Sequence, residues 1–152
     1  MARFRKILCP IDFDHDFTQA IEIARELAEA NDATVHVLHV ARIPNQDMDV
    51  PLPLRPNPRW ERAARVKLES IVRDRLAGVR TQIHVISGTP DDDVVRMANE
   101  LRVDLVVMTT HGRKGLNHFI LGSVAERVMR EADCPVLTMR TRRRAVATPA
   151  AD

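Results

Sequence analysis

Residues 103–124 read VDLVVMTTHGRKGLNHFILGSV, and the order of features along that stretch decides the fold. Val103 to Met108 reads as a strand, and its apolar run Leu105 to Met108 is of the kind that is buried on both faces of a sheet. Gly112 and Gly115 follow it. Leu121, Val124, Ala125, Val128 and Ala132 then recur at helical spacing. A strand that enters a glycine-bearing loop and then a helix gathers backbone N–H groups and a positive helix end in one place, which suits a bound phosphate. Gly112 and Gly115 permit positive φ and close approach to phosphate oxygens, Gly122-Ser123 starts the helix, and Arg113 and Lys114 add countercharge.

Working outward from this unit, the same alternation repeats. Lys6 to Ile11 (KILCPI), Ala33 to Val40 (ATVHVLHV), Thr81 to Ile86 and Pro135 to Met139 read as the other four strands. A first helix carries Phe17, Ala20, Ile21, Ala24, Leu27 and Ala28 on one stripe, with Asp14 or Asp16 as N-cap and Asn31 near its end. A second, marked by Trp60, Ala64, Leu68, Ile71 and Leu76, stops at Gly78. A third opens at the turn Ser87-Gly88-Thr89-Pro90, where proline suits the first helical turn and Asp91 to Asp93 oppose the positive helix end. Val94, Ala98 and Leu101 face its sheet. Between strand two and helix two, Arg42 to Pro58 contains five prolines, which excludes regular structure and leaves a functional lid or an excursion.

Five strands alternating with four helices specify an α/β fold, a doubly wound five-stranded parallel sheet with helices on both faces. In such sheets ligands bind at the carboxyl ends of the strands, where strand order reverses. Asp12, Val40, Ser87-Gly88 and the run from Met108 stand at those ends. With the first and fourth strands as neighbours, Asp12 faces the glycine loop across the crevice, placed to hold a nucleobase, a ribose or a magnesium ion.

Composition removes other classes. The 152 residues suit one domain, residues 1–140, followed by a basic, disordered tail at 141–152. A net charge of +2, no tyrosine and 3% aromatic residues argue against nucleic acid as a partner. No apolar run is long enough for a membrane or an export signal, so the chain reads as cytoplasmic. Cys9 and Cys134 lack metal-ligand spacing and read as reduced structural thiols. His36 and His39 fall on opposite faces of one strand and cannot share a metal. A phosphorelay receiver would need an aspartate after the third strand and a lysine after the fifth, where this chain has Ser87-Gly88 and Arg140-Thr141. No nucleophile-base pair stands out by spacing, so no catalytic residue is assigned.

The run from Thr109 to Ser123 resembles the ATP-binding motif of the universal stress proteins: glycine, two residues, glycine, nine residues, then glycine with serine or threonine. Gly112 and Gly122-Ser123 match at that distance, and Thr109 replaces the first glycine. ILCPID, LHV, the GTP turn and CPVLTMR extend the likeness over residues 3 to 140. The resemblance implies a Rossmann-like fold of the adenine nucleotide alpha hydrolase type and ATP with magnesium at the carboxyl edge. Pro10, Ile11, Asp12 and Val40 would lie toward the adenosine half, and Met108, Thr109, Gly112, Arg113, Gly122, Ser123 and Val124 toward ribose and phosphates. It further implies a homodimer through the fifth strand and a nucleotide-dependent stress-response regulator, with slow ATP hydrolysis or autophosphorylation as the most that catalysis would amount to. Ser123 reads first as a helix cap. The alternative is a nucleotide-free dimeric interaction module, with Thr109 as the cause.

Overall fold

The computed structural model describes residues 3–42, 58–110 and 121–140. The elements run β1 (Lys6–Pro10), α1 (Thr18–Asn31), β2 (Thr34–Arg42), α2 (Pro58–Arg75), β3 (Arg80–Gly88), α3 (Pro90–Leu101), β4 (Leu105–Thr110), α4 (Ser123–Glu131) and β5 (Val136–Arg140). The strands form one parallel sheet in the order β3-β2-β1-β4-β5. β1 is central, the chain winds outward to β3, and it returns across β1 to place β4 on the other side. The order therefore reverses between β1 and β4, which makes the first and fourth strands the neighbours that the sequence reading supposes.

Strand side chains alternate between faces, and each face has its own core. Ile7, Cys9, Val35, Val37, Leu105 and Val107 pack under Ala20, Ile21 and Ala24 of α1 and Leu68 of α2. Leu8, Leu38, Val40, Val106 and Met108 pack under Val94, Met97 and Ala98 of α3 and Ala125 and Val128 of α4. Small residues on α1 let it lie close to the sheet, and burying each large aliphatic side chain is worth roughly 1.5–3 kcal/mol. Burial also pushes the Cys9 thiol up to about 12, which keeps it protonated and inert.

Several boundaries differ from the sequence expectation. Phe17, not Asp14 or Asp16, occupies the N-cap position of α1, although the Asp16 carboxylate accepts the Thr18 N–H at 2.9 Å from one residue further back. Trp60 is 53% exposed, and the buried stripe of α2 begins only at Ala64. Gly122 is the N-cap of α4 and Ser123 its first helical residue, with no side-chain capping bond. The cap role expected of Ser123 is not observed, because its residue has already entered the helix and its exposed hydroxyl is past the capping position.

Local contacts fix the two helices that flank the crevice. Asp93 folds back so that its Oδ2 accepts the Thr89 N–H at 2.8 Å at the start of α3. A Cβ at Gly88 would stand 1.9 Å from that oxygen, so a larger residue there would have to push the Asp93 carboxylate off the Thr89 N–H. Arg127 of α4 reaches Asp92 at 2.6 Å and Asp91 at 3.5 Å, which ties α4 to the amino end of α3.

Candidate functional site

At the carboxyl ends of β1 and β4 the sheet opens into a cavity of about 690 Å³, within the roughly 300–1,000 Å³ range of small-molecule sites. Its lining includes Pro10, Ile11, Asp12, Phe13, His15, His39, Val40, Met108, Thr109, Gly122, Ser123 and Val124. Nine of the eleven site residues expected from the sequence thus surround one space. Gly112 and Arg113, together with the 43–57 segment and the tail from 141, lie outside the described residues.

The opening follows from how β1 and β4 pair. Asp104 clamps their amino ends: its carboxylate accepts the Arg5 and Lys6 N–H groups at 2.7 and 2.8 Å, and its own N–H donates to the Lys6 carbonyl at 2.8 Å. Two registered pairs follow, Ile7 with Leu105 and Leu8 with Val106, and the ladder ends there, with Cys9 and then Pro10, which has no N–H to offer, next along β1. Apolar walls come from Ile11, Leu38, Val40, Val94 and Met108. The amino end of α4 stands at the rim through Gly122, Ser123 and Val124, where the first N–H groups of a helix, which have no partner within the helix, favour an anion.

Asp12 does double duty. Its Oδ1 accepts the Asp14 N–H at 3.0 Å and its Oδ2 meets His15 Nδ1 at 3.1 Å, so the carboxylate shapes its own turn while standing in the cavity wall. Thr109 is 9% exposed near the end of β4. The non-glycine residues with positive φ among those described are Asp32 and Arg102, so Thr109 has ordinary strand backbone and differs from glycine there by side-chain bulk alone. Among the described residues no group of three His, Cys, Asp or Glu is placed to hold a metal ion.

His39, Phe13 and His15 were missed by sequence reading. The only signal was position: His39 precedes Val40, and Phe13 and His15 flank Asp14 just beyond the first strand. His36, as expected, lies on the opposite face from His39, where its Nδ1 stands 3.0 Å from His84 Nε2. No helix among the described residues is long and apolar enough to cross a membrane.

Comparison with known proteins agrees with this architecture. A universal stress protein of Methanocaldococcus jannaschii is 30% identical over 147 residues, an alignment covering 90% of this chain and 82% of that protein. The solved structure of a second protein from that organism, studied for structure-based assignment of biochemical function, superposes with a TM-score of 0.73 at 26% identity, over 95% of this chain and all of that one. A universal stress protein from Archaeoglobus fulgidus, solved in complex with dAMP, shares the fold with a TM-score of 0.62 at 24% identity, over 90% of this chain and 98% of its own. The family model described as the universal stress protein family matches residues 3–140, and the chain belongs to that family.

Proposed function

We propose that this protein binds ATP in the cavity between β1 and β4 and acts as a nucleotide-dependent stress-response regulator. The observation that supports the reading most is the combination within one cavity of apolar walls, Asp12, and the amino end of α4 at Gly122-Ser123. Apolar surface suits a nucleobase, a carboxylate suits ribose hydroxyls or a cation, and helix N–H groups suit phosphate. The dAMP complex of the Archaeoglobus relative supports an adenine nucleotide as the ligand class.

Pro10, Ile11, Asp12 and Val40 would hold the adenosine half, and Met108, Thr109, Gly112, Arg113, Gly122, Ser123 and Val124 the ribose and phosphates. Magnesium would enter with the phosphates, since Mg²⁺ commonly takes one or two carboxylates plus phosphate oxygens and water. The protein is a cytoplasmic regulator rather than a catalyst in this reading, with slow hydrolysis or autophosphorylation at most. β5 lies at one edge of the sheet, with Leu137 38% exposed on it and Met129 of α4 42% exposed. Pairing of two β5 strands would protect that edge in a homodimer.

Calorimetric titration with ATP and magnesium tests the assignment. Heat of binding and a raised melting temperature are expected, whereas neither effect at millimolar ATP would leave the nucleotide-free interaction module as the reading. A monomer mass by light scattering at micromolar concentration would remove the dimer.

A further inference from the structure

We propose that His39 is a positioning residue for the cavity, tethering the carboxyl end of β1 to β2 and so setting where Ile11 and Asp12 stand. The proposal rests on the nucleotide reading above and names a residue that acts through its neighbours. Backbone pairing of β1 with β2 runs to Pro10 and Leu38, and the Ile11 N–H still donates to the Leu38 carbonyl at 2.8 Å. One residue later the chain turns away into the Asp12 loop. The Ile11 carbonyl lies at that departure, and His39 Nδ1 reaches it at 2.9 Å.

A carbonyl oxygen only accepts, so Nδ1 carries the proton. Phe13 stacks on the imidazole with centroids 4.1 Å apart and planes 24° apart. The Lys67 ammonium of α2 lies 4.2 Å from the centre of the Phe13 ring. β2, the β1–α1 loop and α2 thus each contribute one side chain to a stack that holds the turn in which Asp12 binds Asp14 N–H and His15. Ile11, Asp12, Phe13 and His39 all line the cavity. A ligand would feel His39 through the placement of Asp12 and the Ile11 wall.

The test removes the ring while keeping or deleting the donor. His39→Asn places a side-chain N–H near the former Nδ1, and His39→Leu supplies comparable bulk with no donor. Each variant is titrated with ATP and magnesium, melted thermally, and followed by amide hydrogen exchange at residues 11–15. The leucine variant is expected to bind ATP about tenfold more weakly and exchange faster at 11–15, with the asparagine variant within about threefold of wild type. A merely structural role would lower both melting temperatures without separating the two affinities. Wild-type affinity in a folded leucine variant, or equal weakening in both variants, overturns the positioning role alone. Absence of ATP binding by the wild-type chain overturns the nucleotide reading and this role with it.

Discussion

The seam between β2 and β3 and the seam between β1 and β4 belong to one sheet but end differently. β2 and β3 pair along all nine residues of each, from Thr34 with Arg80 to Arg42 with Gly88, and Ser87 at the far end bonds Glu61 of α2 at 2.8 Å. β1 and β4 have the Asp104 clamp, two registered pairs, and then the cavity. Continuous pairing consumes every backbone N–H and carbonyl on the facing edges, while a ladder that ends early leaves a crevice that a ligand can enter. The long seam is closed by backbone; the short seam must be held by the side chains packed above and below it.

That contrast breaks first at Leu8. Leu8 pairs with Val106 in the short seam and is fully buried, whereas Val85 in the long seam is only partly buried. Leu8→Ala is expected to cost roughly 2–5 kcal/mol in urea unfolding, against about 1 kcal/mol for Val85→Ala. Equal losses would show that the short seam does not depend on side-chain burial more than the long one.

The two seams were also unequally legible in sequence. Apolar runs locate β1 and β4, Pro90 and Gly78 mark helix ends, and the alternation of elements gives a parallel sheet, because those signals are local and periodic; that β1 and β4 are neighbours is a supposition that only the strand order bears out. Asp12 was readable as a strand-end carboxylate at the crevice. Its turn with Asp14 and His15 was not, since a carboxylate's choice of local partner depends on loop geometry. The pairing of His36 with His84 and the reach of His39 to Ile11 needed cross-strand register, which no single strand encodes. Trp60 fitted the apolar stripe of α2 yet is exposed, because periodicity identifies a helix face but does not say where along that face burial begins. Ser123 shows the same limit over one residue: the sequence places a cap near Gly122-Ser123, and backbone geometry assigns it to Gly122.

A second contrast lies in acid. His36 is 4% exposed in the long seam and stacks against His84 with centroids 5.3 Å apart. Their 3.0 Å N···N contact needs one N–H and one lone pair, so a second proton would set two donors against each other. Burial first, then His84 and Lys6, lower the His36 pKa to about 4, and burial with Arg65 lowers that of His84. The unfolded chain takes up these protons near the usual histidine value of 6.5. Stability from the neutral pair is therefore complete above that pH and is lost as pH falls from there toward about 4. The expected loss is roughly 1–3 kcal/mol. His36→Gln, compared with wild type by urea unfolding at mildly alkaline and mildly acidic pH, isolates it from the carboxylates. The difference between the two proteins should change with pH, and a constant difference would detach the long seam from acid sensitivity.

The smallest effect sharpens the short seam beyond the last pair of β1 with β4. Thr109 stands there in ordinary strand backbone, so glycine offers it no conformational relief. Thr109→Gly removes a β-branched side chain from a strand, which should cost roughly 0.5–1 kcal/mol of stability. If the threonine side chain occupies space that the ribose or phosphates need, the same change should tighten ATP binding by up to about fivefold, the worth of roughly one kilocalorie of relieved contact. Thr109→Ser keeps the hydroxyl and sheds the methyl, so a gain equal to that of glycine locates the obstruction at the methyl, and no gain places it at the hydroxyl or Cβ. Lowered stability with unchanged affinity in both variants would mean that Thr109 is simply part of the strand wall, and that the early end of the ladder between β1 and β4, rather than a small residue at this position, is what makes room for the ligand.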